Sequence, residues 1–182
     1  MGKTEEKFIV LLKLLNNCRD KLHSLCSLFF ANLKTAKQDS AEMGKLFDEV
    51  MDCENEIKMI NSAKGSKLII KSIKSRLVDA KNNFVDAYEK FKNSFKDAIP
   101  LRDEYKKEVV MCCDTYKKMR KSAEMDSIEK GYRQQVKLIQ AILAKIKEYI
   151  REYKAESEIV EDKKARFDST CSKVEKLASN LG

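Results

Sequence analysis

Turn-forming residues are scarce in this chain, whose 182 residues include one proline and five glycines. A fold of many short strands needs a turn every few residues, so that class is excluded. Tryptophan is absent and His23 is the single histidine. The six cysteines, Cys18, Cys26, Cys53, Cys112, Cys113 and Cys171, show no CxxC spacing. With one histidine they cannot complete a zinc site, so no metal or other cofactor is expected, and they read as reduced, mostly buried small hydrophobes. There is no glycine-rich phosphate loop and no nucleophile motif, so the chain is not expected to be an enzyme. No apolar run approaches the ~18 residues of a membrane span, and the start MGKTEEKF offers no signal core. Both absences, with the unpaired cysteines, point to the cytoplasm. Gly2 resembles a myristoylation start, but Glu6 stands where that pattern wants Ser or Thr.

What the chain does contain is 43% apolar and 36% charged residues, rich in Lys, Glu, Ala and Leu. These are helix formers, so the expected class is all-α, in one domain over residues 1–182. Lys and Arg number 37 against 29 Asp and Glu, a formal charge of +8. Such a surface favours a polyanion, acidic lipid or nucleic acid.

Every seventh residue from Phe8 is apolar: Leu15, Leu22, Phe29, Ala36, Met43, Val50 and Ile57 follow. A companion row, Leu11, Cys18, Leu25, Asn32, Asp39, Leu46, Cys53 and Ile60, is apolar except at two adjacent steps. The pattern predicts one helix over about 4–61 with a weak middle at KTAKQDS. NSAKGSK then supplies a cap and a reversal. A second series, Ile70, Leu77, Phe84, Phe91, Ala98, Tyr105, Cys112 and Met119, predicts a helix over 67–121. Phase is lost in RKSAEMDS, where Asp126 and Glu129 suggest a capping box. The third series is Met125, Tyr132, Ile139, Ile146, Tyr153, Val160, Phe167, Val174 and Leu181, for a helix over 127–180.

Pro100 sits inside the second series without disturbing it, since Phe91, Ala98, Tyr105 and Cys112 stay in step. A helix stop would bring a new phase, so the expectation is a kink that the helix survives. The three helices therefore predict a kinked, curved, antiparallel coiled coil. At 1.5 Å per residue each helix is about 80 Å long. A monomer that thin has little core for its surface and should seek a second chain. Ile9, Val10, Leu12, Leu14, Leu28, Phe30 and Leu33 widen the first stripe beyond what two neighbours cover, and read as a homodimer face.

Basic residues fall in three groups. Lys64, Lys67, Lys71, Lys74 and Arg76 have no acid among them. Lys117, Lys118, Arg120 and Lys121 are followed by Lys130 and Arg133. Lys163, Lys164 and Arg166 are offset by Glu158, Glu161 and Asp162 and read as a solvated face.

Taken together the chain resembles the BAR domain family, the amphiphysin and endophilin type of three-helix membrane-curvature module. The resemblance is carried by FFANLKTAKQDSAEMGKLFDEVMD, by FKNSFKDAIPLRDEYKKEV around the proline, and by DTYKKMRK. It implies a crescent-shaped antiparallel homodimer that is peripheral on anionic phospholipid membranes, with a place in vesicle traffic or endocytosis. By that analogy Lys106, Lys107, Lys117, Lys118, Arg120, Lys121, Lys130 and Arg133 are the membrane-binding residues. Only seven residues precede Phe8, so the amphipathic insertion helix of some members is not expected.

Two other readings compete. Nucleic acid is disfavoured as a partner, because the tyrosines sit on or beside the seams, leaving few aromatics to stack bases. The stronger alternative is a coiled-coil scaffold that binds another helical protein or a small GTPase without touching a membrane.

Overall fold

A computed structural model describes the backbone of residues 3–60, 67–122 and 129–181, and side chains over 6–60, 67–121 and 133–181. Three helices make up the all-α fold: α1 (Lys3–Met59), α2 (Lys67–Ser122) and α3 (Glu129–Leu181). No strand occurs among the described residues. No helix boundary departs by more than two residues from the expected 4–61, 67–121 and 127–180. The NSAKGS reversal and Asp126 of the capping box lie outside the described residues.

The seven-residue rows are the core. On α1, Phe8, Leu15, Leu22, Phe29, Ala36, Met43, Val50 and Ile57 are all buried. On α2 the same holds from Ile70 through Ala98 and Tyr105 to Met119. On α3, Ile139, Ile146, Tyr153, Val160, Phe167 and Val174 are buried. Met125 and the side chain of Tyr132 lie outside the described residues. Leu181 departs from the row and is exposed, because the last residue of a helix has neighbours on one side only. α2 is continuous through Pro100, whose ring is exposed. The proline withdraws the donor that the Lys96 carbonyl would otherwise receive, and an exposed position lets solvent replace it.

The chain divides into two compact units. The first joins Met1–Leu33 to Lys96–Glu152. Its core brings Phe8, Leu22 and Phe29 of α1 together with Tyr105 and Met119 of α2 and Ile146 of α3. In this unit α1 and α3 run the same way: Arg19 Nη1 donates to Gln135 Oε1 at 2.5 Å, and the Phe30 ring lies 5.8 Å from that of Tyr149.

The second unit joins Lys34–Phe95 to Tyr153–Gly182. Here α2 and α3 run antiparallel. Phe84 stacks on Phe167 with centroids 3.8 Å apart and planes 7° from parallel, and Phe95 meets Tyr153 edge-on at 5.9 Å. The polar patch in the middle of α1 is met from α3 at Ser40. Lys163 Nζ donates to the Ser40 carbonyl at 2.9 Å and to Ser40 Oγ at 3.0 Å. Asp39 is half-buried with one oxygen unpartnered among the described residues. Burial raises its pKa, while nearby Lys90 pulls the other way.

Tyr88 shows how tightly this unit is stitched. Its hydroxyl donates to Glu161 Oε1 at 2.7 Å, and Lys92 and Lys164 approach its ring at 4.5 and 4.7 Å. Desolvation, reinforced by that carboxylate, pushes the phenol up to about 12. The unfolded chain ionises near pH ~10 and the folded one later. Tyr88 thus contributes stability that is complete below pH ~10 and declines as pH rises towards 12. A phenolate absorbance titration should show a late-ionising tyrosine that Tyr88→Phe removes. An unchanged curve would refute the assignment.

Candidate anion-binding surface

The C-terminal third of α2, in the first unit, presents its charge by helical arithmetic. Tyr105, Glu108, Cys112, Thr115 and Met119 face inward and are buried. Most residues between those steps face out, while Val109 and Tyr116 pack partly against the core. Lys106, Lys107, Lys117, Lys118, Arg120 and Lys121 are all exposed. From 106 to 121 these six cations stand against two acids, Glu108 and Asp114. Glu108 is turned inward, with one oxygen 3.6 Å from Lys21 of α1 and the other buried and unpartnered among the described residues. What remains outward is strongly positive.

The two ends of this surface differ. Lys106 and Lys107 border a hollow that also holds Lys21, Glu104 and Glu108, so two carboxylates offset part of the positive charge there. Lys117, Lys118, Arg120 and Lys121 crowd the last turns of α2, where Arg120 and Lys121 also favour the negative end of the helix dipole. On α3, Arg133 is exposed, whereas the Lys130 side chain lies outside the described residues.

Several members of the other basic groups make contacts within the second unit. Arg76 donates to Glu49 at 2.8 Å and to Glu56 at 2.5 Å, two α1 acids that a local reading of KGSKLIIKSIKSR does not see. These contacts push its pKa up further. Lys67, Lys71 and Lys74 are exposed, and Lys64 lies outside the described residues. The solvated face expected at Lys163, Lys164 and Arg166 holds for Arg166 but is corrected at the two lysines. Lys163 is half-buried against Ser40 and Lys164 lies over Tyr88, while Arg166 pairs with Asp162 at 3.1 Å. Long aliphatic stems let these lysines pack while their ammonium groups reach polar atoms.

The apolar residues expected on a dimer face separate. Leu33 is buried within the chain, at 3% exposure, and Leu12 packs partly against the first unit's core. Ile9, Val10, Leu14, Leu28 and Phe30 are exposed. At ~100° per residue Leu14 and Leu28 lie within roughly 40° of each other, but Phe30 is roughly 160° from Leu14. Phe30 leans on Tyr149, which leaves Val10, Leu14 and Leu28 as the set that shares an outward face.

Burial raises the pKa of Cys18, Cys26, Cys53, Cys112 and Cys171, so these thiols stay protonated and behave as packing groups. Cys113 is exposed. Among the described residues no group of three or more His, Cys, Asp or Glu stands ready to hold a metal ion. Among them, too, no helix is long and apolar enough to cross a membrane.

The chain matches no family model, no curated protein and no solved structure. The functional reading therefore rests on its own residues.

Proposed function

We propose that this protein is a non-enzymatic, BAR-like module that binds anionic membranes peripherally through the outward face of α2. The observation that carries the reading is the charge segregation over residues 106–121: six exposed cations, with Glu108 turned into the fold. Three long helices accord with the resemblance. Lys117, Lys118, Arg120 and Lys121 form the dense end of the surface, with Lys106, Lys107, Lys130 and Arg133 in support. In this reading Pro100 bends α2, and two copies pair to give a curved binding face.

Attraction of this kind is electrostatic and falls off within a Debye length, about 8 Å at physiological ionic strength. The test is co-sedimentation with phosphatidylserine vesicles at graded salt. The protein should pellet with them at low salt, release as salt rises, and ignore phosphatidylcholine vesicles. No binding at low salt would refute membrane binding. The exposed face of Val10, Leu14 and Leu28 would then favour the second reading, a scaffold that docks another helical protein or a small GTPase.

A further inference from the structure

A groove in the first unit joins apolar lining to a cationic edge. Leu15 of α1, Tyr116 of α2 and Val136, Ile139 and Leu143 of α3 line it, and its volume is about 340 Å³. That is within the ~300–1,000 Å³ typical of small-molecule sites. Lys117 and Arg120 stand at its α2 side, while Gln140 adds an uncharged polar group. Among the described residues no acidic side chain contributes to the lining. The contrast with the hollow at Lys106 and Lys107 is informative, because there Glu104 and Glu108 offset two of the three lysines.

Helix geometry explains the combination. Tyr116 and Arg120 are one turn apart on α2, and Val136, Ile139 and Leu143 recur at three and four on α3, so each helix turns a stripe towards the other. The groove follows α2 from Cys112 and Cys113 to Arg120, roughly 10 Å at 1.5 Å per residue. An apolar trough of that length with two cations at its margin is complementary to one kind of molecule.

We propose that this groove binds a single-chain anionic amphiphile, a free fatty acid, with its acyl tail along Leu15, Val136 and Leu143 and its carboxylate on Lys117 and Arg120. Apolar burial supplies the attraction and the paired cations set the direction in which the chain lies. The site is one of molecular binding and does not depend on docking at a bilayer.

Cys113 is an exposed thiol in the groove wall and serves as the reporter. The full chain is titrated with dodecanoate below its micellar concentration, and alkylation of the peptide bearing Cys112 and Cys113 is followed by mass spectrometry. Cys113→Ser identifies the signal, and calorimetry gives the stoichiometry. Dodecanoate should bind one to one and slow alkylation about tenfold or more at saturation, whereas dodecanol should bind about tenfold or more weakly than dodecanoate. Lys117→Glu combined with Arg120→Glu changes exposed positions and should leave the helical signal intact while weakening dodecanoate by a similar factor. Three results would each overturn the proposal: no protection by dodecanoate, equal binding of dodecanol, or undiminished binding by the double variant. Protection by phosphatidylserine vesicles without protection by monomeric dodecanoate would also overturn it, and would assign the effect to the membrane surface.

Discussion

Replacing Phe167 with alanine should cost the second unit about 3–5 kcal/mol, the range for truncating a buried phenylalanine. The ring is 2% exposed and stacks on Phe84, itself 3% exposed, with centroids 3.8 Å apart. Phe84 belongs to a row of α2 side chains that is buried along its length, so the surroundings relax only partly into the cavity. Typical domains are stable by only about 5–15 kcal/mol, so this one change removes a large share. Urea denaturation followed by circular dichroism measures it. The same experiment on Phe84→Ala and on the double variant should show the two losses overlapping by about 0.5–1.5 kcal/mol, the worth of an aromatic pair beyond its area. A loss below about 1 kcal/mol for Phe167→Ala would mean that the rings do not stack.

Reversing Lys117, Lys118, Arg120 and Lys121 to glutamate should reduce binding to phosphatidylserine vesicles roughly a thousandfold at low salt. Each well-placed basic residue contributes about 1 kcal/mol at an anionic surface, and four such terms amount to about three decades. Stability should change much less, because all four side chains are exposed. The acids do fall in the last turns of α2, where the helix dipole disfavours negative charge by about 0.3–1 kcal/mol apiece. A parallel set of glutamine substitutions separates the effects: it removes the attraction without placing acids at that end. Binding that survives both sets would refute the assignment to this surface. Reversal of Lys67, Lys71 and Lys74, in the second unit, supplies the comparison, since those exposed lysines match the charge type but lie outside the proposed site.

Much of the core was legible because it depends on one periodicity. A residue every seven steps returns to the same side of a helix, so rows such as Phe8 to Ile57 and Ile70 to Met119 announce what will be buried whatever the neighbours are. Surface roles were harder to read. Arg76 sits in an acid-free stretch of sequence, yet Glu49 and Glu56 of α1 close on it. Lys163 belongs to a mixed-charge run that suggests solvent, yet it donates to Ser40 of α1. Leu12, Leu14, Leu28, Phe30 and Leu33 look alike as surplus hydrophobes, but only some remain exposed. These outcomes depend on where a second helix lies, at what stagger, and with which side chains.

Scarce turn formers, three heptad series and their lost phases were enough to decide the helical class, the number of helices and most of the residues that face inward. That followed because helix formation and burial of one stripe are governed by spacing along a single strand of sequence. Tertiary structure decided which charges are already paired, which lysines remain outward, and that the α2 cations border an apolar groove on α1 and α3. Those properties belong to pairs of helices. Residues such as Leu15, Arg120 and Leu143, remote from one another in sequence, acquire a shared chemistry only when packing sets them side by side.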